Sequence, residues 1–256
     1  GGSYTIENSL RFRSSASAFL NRTATSTVTN NKKLTVSYWI KRGKLSTYTT
    51  RQIFMYSTGG DRIWFDAEAA DTLSYYTPAN YAKVTGLFRD PAAWYHIVMV
   101  IDTTQATPAN RVKVYVNGTE RTVTGAYPSL NQAIPLNTAS QTQYMGNSVS
   151  SNYLDGYLAE VNFIDGQALT PSDFGEYNEN TGVWQPVAYE GTYGNNGFYL
   201  PFSDATNTST LVADSSGQGN DWTPNNISLT AGATYDSMTD TPTIYADGGN
   251  YCTLSP

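Results

Sequence analysis

The sequence predicts an all-β sandwich or jelly roll of two antiparallel sheets, with one short helix near 171–177. Three observations carry this expectation. Short runs of alternating apolar and polar residues recur along the chain. Turn signals built on Gly, Asn and Pro separate them. A helical period is almost absent. The composition agrees, because 20 of the 256 residues are tyrosine. Tyrosine favours strands and also offers flat, partly polar contact surface. A chain of this length makes one large domain or two small ones and can bury a sizeable core.

Taken in order, "SLRFRSS" alternates, and "KLTVSYWIKRG" (33–43) is a strand closed by Gly. "RQIFMYSTGG" (51–60) is another, closed by a Gly pair. "DRIWFD" (61–66) and "DTLSYY" (71–76), joined by "AEAA", read as a hairpin. "WYHIVMVID" (94–102) is nearly all apolar and is expected to be a central strand buried on both faces. In "RVKVYVNGTERTV" (111–123), Val112, Val114 and Val116 alternate with Lys113 and Tyr115, and Asn-Gly supplies a type I′ turn. "GYLAEVNFIDG" (156–166) alternates again. "TPSDFGEY" (170–177) reads as the short helix, with Thr170 as N-cap, Pro171 at the first position and Asp173 in the first turn. After residue 178 the composition shifts to Gly, Asn, Thr and Ser. "FYLPFSD" (198–204) is one more strand. Residues 228–256 read as loop or linker, and "GNYCTLSP" as a junction to a following segment.

Charged residues make up only 14% of the chain and the net charge is −6. Ser, Thr, Asn and Tyr therefore carry the solubility, a composition suited to extracellular surfaces. The acidic balance argues against nucleic acid as a partner, which needs basic clusters. The densest basic stretch, "IKRGK" (40–44), is too short to change that. The single cysteine, Cys252, allows no intrachain disulfide or cysteine metal cluster. The single histidine, His96, sits mid-strand and is expected to be satisfied by a neighbour; no G-x-S-x-G accompanies it. No apolar run approaches a membrane span of about 18 residues, and the N-terminus has no signal-peptide pattern. Release by lysis, as for a virus particle, would explain an extracellular setting without one.

Several segments, in order, resemble the laminin G-like, concanavalin A-like jelly-roll superfamily over roughly residues 10–177. They are "KLTVSYWIKRG", "WYHIVMVID", "VKVYVNG", and "YMGNS" followed by "LDGYLAEVNFIDGQALTPSDF". Longer segments resemble domains of tail-fibre and other virion proteins of tailed bacteriophages. These are "FRDPAAWYHIVMVIDTTQATPANRVKVYVNG", "YLDGYLAEVNFIDGQALTPSDFGE", "GFYLPFSD" and "DSSGQGNDWTPNNIS". That resemblance implies a non-enzymatic appendage domain located on the virion. It implies an oligomer contacting a host surface and names no ligand; the expected partners are host-surface polysaccharide or glycan and other virion proteins, in a homo-oligomer with a trimer favoured. Where many family members read Ile-Asp-Glu, this chain has Leu158-Ala159-Glu160, so a polar or metal role at the middle position is in doubt. In such domains a strand and a D-S-S-G turn come first. Here the corresponding unit follows the closing segment, so a circularly permuted arrangement is expected. Residues 1–227 would form one jelly roll, with 197–227 supplying the permuted first strand and turn. Phe198–Asp204 would lie beside the closing strand and pair with residues 8–13. The alternative is that this unit opens a second, truncated domain.

Glucanases of the superfamily carry E-x-D-x-x-E. Asp66, Glu68 and Asp71 in "DAEAAD" have that spacing with the acid types exchanged. Alanines between two short strands fit a solvated hairpin turn, so no catalytic residue is assigned, and a polysaccharide depolymerase or glucanase is the alternative. If Ile63, Phe65, Leu73 and Tyr75 face the core, then Arg62, Trp64, Asp66, Thr72, Ser74 and Tyr76 face away. Arg62, Trp64, Asp66 and Tyr76 are therefore the candidate ligand-binding residues, combining aromatic planes with hydrogen-bonding groups. The same face would serve a subunit contact, as in a purely structural capsid or tail decoration protein, or be covered by the chain's own C-terminal segment. In "ADSSGQGNDW" (213–222), Asp214, Ser216, Gln218 and Asn220 alternate as oxygen donors. Asp214 and Asn220 are candidate calcium ligands, although Asp221 falls off the register and the stretch also suits Asx and Ser turns. No other cofactor is expected.

Overall fold

The alternating segments become strands. A computed structural model describes residues 4–25, 27–45, 51–66 and 71–242. In chain order the strands are β1 (Ser9–Phe12), β2 (Phe19–Thr23), β3 (Lys33–Arg42), β4 (Gln52–Ser57), β5 (Arg62–Asp66) and β6 (Thr72–Tyr76). There follow β7 (Tyr81–Val84), β8 (Trp94–Asp102), β9 (Val112–Val116), β10 (Thr119–Arg121), β11 (Val123–Gly125) and β12 (Thr142–Met145). The last are β13 (Gly156–Asp165), β14 (Gly175–Tyr177), β15 (Trp184–Pro186), β16 (Phe198–Leu200), β17 (Thr223–Asn225) and β18 (Ser237–Met238). All pairings are antiparallel. The first sheet runs β10-β9-β8-β3-β13-β1-β18, with β16 also on β13. The second runs β11-β7-β6-β5-β4-β12-β2-β17, and β14 and β15 form a separate ribbon.

The two sheets face each other across one apolar core. Leu34, Val36, Tyr38 and Ile40 from β3 meet Ile63, Phe65, Leu73 and Tyr75 from the second sheet. Tyr38 stacks on Phe54 at 3.7 Å between ring centroids. β8 lies between β3 and β9 and is buried on both faces, as its apolar run predicts. At the β9–β10 turn, Asn117 (φ 48°) and Gly118 (φ 77°) both adopt positive φ, as a type I′ turn requires.

Three expectations need correction. The short helix expected near 171–177 is a 3-10 helix and is shorter than expected. It is one 3-10 turn, Pro171–Asp173, followed directly by β14. The local signals were real, since the Asp173 carboxylate accepts from Thr170 N at 2.9 Å, but they close a single turn. Among the described residues the one α-helical turn is Thr208–Leu211, capped by the Asn207 side chain, which accepts from Ser209 N and Thr210 N. Residues 228–242 are not a free linker. Ser237–Met238 adds an edge strand to β1, and buried Asp236 accepts from Arg11, Arg13 and Ser228 N. Finally, Phe198–Leu200 does not pair with residues 8–13. It pairs with β13 at Val161–Phe163, while β1 pairs with β13 at Gly156–Leu158. Both use the edge of β13 that β3 leaves open, end to end. The bulge between Ala159 and Asn162, with Glu160 at φ 48°, divides that edge into two short stretches. Phe198, Leu200 and Phe202 are fully buried. Among the described residues no helix is long and apolar enough to cross a membrane.

The chain between β13 and β16 covers the outer face of the first sheet. Phe174, Leu169, Tyr189 and Tyr193 pack on Val98, Val100 and Ile164, while Trp184, Tyr4 and Ile6 join Trp39 and Ala159. His96 is satisfied there. Trp184 Nε1, which can only donate, reaches His96 Nδ1 at 2.8 Å. Nε2 must then carry the proton and donate to Ser37 Oγ, also at 2.8 Å. Burial pushes the pKa of this imidazole down from 6.5 to about 3.

At one end of the sandwich, buried polar groups tie the sheets together. Asp165 accepts from Thr29 N, Asn30 N, Asn196 N and the Asn137 amide. The Asn196 amide donates to Asn137 Oδ1, and Arg22 donates to Asn196 and to Gln143 Oε1. Truncating Asp165 to Ala would strand four donors. The expected loss is at least about 3 kcal/mol, read as a lower guanidinium midpoint at constant slope. A loss below about 1 kcal/mol would show that the hub is dispensable.

Asp61 is fully buried between β4 and β5, where its Oδ2 accepts from Tyr75 OH and Leu136 N. Oδ1 meets no donor, and burial pushes the carboxyl pKa up from 3.8 to about 7. The folded chain thus holds a proton that the unfolded chain releases. The resulting stability is complete below pH 3.8 and is lost as pH rises through 7. His96 has the opposite sign: its contribution is complete above pH 6.5 and is lost as pH falls toward 3. In urea unfolding across this range, Asp61→Asn should gain on the wild type steadily as pH rises. A stability difference independent of pH would refute the buried, protonated carboxyl.

Candidate functional site

The first sheet is covered on both faces. The second is covered on one, and no strand or helix among the described residues packs over the centre of its outer face. Strand alternation places side chains on that face, and antiparallel register aligns them across strands. Tyr144 of β12 opposes Tyr56 of β4, Tyr56 opposes Arg62 of β5, Arg62 opposes Tyr76 of β6, and Tyr76 opposes Tyr81 of β7. The result is one row of four tyrosines with an arginine at its centre. Its four inter-strand steps of about 4.8 Å span about 19 Å. All five side chains are half-buried.

Arg62 organises the row. Its guanidinium lies 4.3 Å from the Tyr76 ring, 4.6 Å from Trp64 and 5.8 Å from Tyr56. Trp64 and Tyr76 are tilted against each other at 5.6 Å. Farther along, Lys83 Nζ lies 4.5 Å from the Tyr81 ring, and Phe19 and Tyr153 extend the aromatic surface beside Tyr144. Rings held this way lose little freedom on meeting a flat partner, because their rotamers are already limited by neighbours.

Of the four predicted ligand-binding residues, the structure brings all onto one face but leaves only two open. Arg62 and Tyr76 are half-buried. Trp64 points away from the core but is only 5% exposed, with the Arg51 and Arg62 guanidinia 4.8 and 4.6 Å from its ring. Asp66 is 2% exposed and faces Arg51 at 3.6 Å. Trp64 and Asp66 therefore underlie the surface. The half-buried members that the sequence did not single out are Tyr56, Tyr144, Tyr81 and Lys83. Each occupies an alternating position, but their alignment depends on strand order.

The acidic spacing of Asp66 and Asp71 serves the hairpin. Asp71 N donates to Asp66 O at 3.1 Å, and Asp71 adopts φ 67°. Its carboxylate pairs with buried Arg42 at 2.7 Å and Arg89 at 3.4 Å. Two carboxylates each facing arginine are poor acid and base partners for glycoside hydrolysis. Glu68 and Cys252 lie outside the described residues.

The candidate calcium ligands Asp214 and Asn220 are engaged in a hydrogen-bonded turn. Asp214 Oδ1 accepts from Tyr199 N and Ser216 N, and Oδ2 from Ser216 Oγ and Asn220 N. Asn220 turns its amide nitrogen toward the Asn195 and Gly197 carbonyls. Oxygens surrounded by N–H and O–H groups hold a turn, and Gly217 and Gly219 supply its positive φ. Elsewhere a shallow groove of about 410 Å³ runs between residues 167–173 and 187–191. Its one aromatic ring, Tyr189, is stacked on Phe174 at 5.0 Å within the layer that covers the first sheet.

The family model described as the concanavalin A-like lectin/glucanases superfamily matches residues 15–173. No curated protein matches the sequence. Among solved structures, the chain is similar to a candidate carbohydrate binding protein from Bacteroides ovatus ATCC 8483, with a TM-score of 0.60 and 14% identity over 87% of this chain. The match spans 59% of that protein. A heptameric SAP-like pentraxin from Limulus polyphemus is similar at 16% identity and a TM-score of 0.46, covering 66% of this chain and 80% of that one. Domain 4 of an extracellular arabinanase from Geobacillus stearothermophilus, solved with arabinotriose, is similar at 19% identity and a TM-score of 0.42, covering 56% and 65%. With two facing antiparallel sheets and a family match over more than half its length, the chain belongs to the concanavalin A-like lectin/glucanases superfamily.

Proposed function

We infer that this domain binds carbohydrate without cleaving it, on the outer face of the second sheet. The observation that carries the reading is the row Tyr144–Tyr56–Arg62–Tyr76–Tyr81, an aromatic strip across five strands with a hydrogen-bonding cation at its centre. Aromatic rings stack on the apolar faces of pyranose rings, and hydroxyl and guanidinium groups bond the sugar rim. Trp64 and Asp66 support the strip from below, while Arg62 and Tyr76 contact the ligand. The fold shared with the Bacteroides protein supports the reading in outline. The segments that resemble bacteriophage tail-fibre domains support a setting on a virion appendage, where the ligand would be host-surface polysaccharide. A shallow strip binds weakly, so an oligomer, with a trimer favoured, would add the avidity that one site lacks.

A glycan array probed with the oligomerised domain should show binding. Tyr76→Ala and Tyr56→Ala should each weaken it by about threefold to tenfold, the loss of one aromatic contact of about 0.5–1.5 kcal/mol. The bound polysaccharide should release no reducing ends on incubation. An array with no binder would sink the reading, as would release of reducing ends that Asp66→Asn abolishes.

A further inference from the structure

The outer face carries more cations and donors than it can satisfy. Arg62 and Lys83 form no ion pair among the described residues, and each rests on tyrosine rings. Among the described residues the outer-face carboxylate is Asp66, which faces Arg51. Two further donors, Trp64 Nε1 and Arg62 Nε, are buried and meet no acceptor. A buried donor without an acceptor costs about 1–3 kcal/mol, so orphans gathered under one surface mark where acceptors are wanted. A protein of net charge −6 keeps two cations here without an ion-pair partner among the described residues.

We propose, resting on the carbohydrate reading above, that the face takes an anionic linear polysaccharide laid across the strands from Tyr144 to Tyr81, with Arg62 and Lys83 contacting its acidic groups. Planar guanidinium matches carboxylate and sulfate oxygens in pairs, and lysine adds a compact charge. The tyrosines between them hold the sugar rings, and the strand spacing sets the period at which rings and charges recur.

The test uses the full chain with polygalacturonate, alginate and chondroitin sulfate, each beside a chemically neutralised form of the same polymer. At least one acidic polymer should bind about tenfold or more tightly than its neutral form. Its affinity should fall steadily as salt rises. Arg62→Gln and Lys83→Gln should each remove most of that preference, whereas Lys32→Gln, away from this face, should not. Near-ultraviolet circular dichroism of each variant separates lost binding from lost folding. Equal affinity for charged and neutral forms would overturn the anionic assignment and leave carbohydrate binding standing. Binding of neither form would overturn both. A change in oligomer mass in Arg62→Gln, with glycan affinity unchanged, would assign the face to subunit contact and also overturn the proposal.

Discussion

The sandwich depends on a buried polar cluster at one end. Asp165, at the end of β13 in the first sheet, reaches Asn137 and Asn196, and through them Arg22 of β2 and Gln143 of β12 in the second. Two buried charges of opposite sign are thus bridged by amides that use both donor and acceptor ends. Burial lowers the Arg22 pKa to about 10, which still leaves it charged at neutral pH. The guanidinium also lies over the Phe198 and Trp222 rings, so the polar cluster continues directly into the apolar core. A group of this kind is satisfied only when all its members are in place. It therefore fixes the relative position of the two sheets and the entry of β16.

The relation between the two sheets then decides which surfaces remain open. The first sheet is sealed by residues 169–199 and by the N-terminal Tyr4 and Ile6. Asp236, held by Arg11 and Arg13, anchors the strand that closes its edge. The bulge at Glu160 admits two short strands along one edge, and its carboxylate accepts from Tyr4 OH and Tyr199 OH. The covering layer is itself aromatic, so many of the tyrosines serve packing. Those on the second sheet differ because no strand or helix among the described residues lies over them.

On that sheet, shape and electrostatics agree. The strip is continuous because its members are cross-strand neighbours on one face, and it is held in place because Arg62 lies against three rings. Binding to a prearranged strip spends little on ordering side chains. The face presents donors and cations with few acceptors, which favours ligands rich in oxygen.

Much of the fold was legible in the chain itself. Alternation marked β3, β5, β6, β9 and β13, a continuous apolar run marked β8, the Asn-Gly pair set its hairpin, and the parity of "RIWFD" against "TLSYY" put Arg62, Trp64 and Tyr76 on one side. These features are local, set by backbone sterics and a two-residue period. Where several outcomes share one local signal, the sequence could not choose: the caps at 170–173 close a single turn as well as they start a helix. The aromatic row was not legible, because it joins residues from five strands and a shifted register between Ile53 and Met55 hides the parity of Tyr56. Nor was the burial of Trp64, which depends on two arginines reaching over it. The sequence by itself determined which residues can form strands and which side of each strand they occupy. Only the tertiary structure decided which strands are neighbours and which face stays uncovered, because those depend on contacts between residues far apart in the chain.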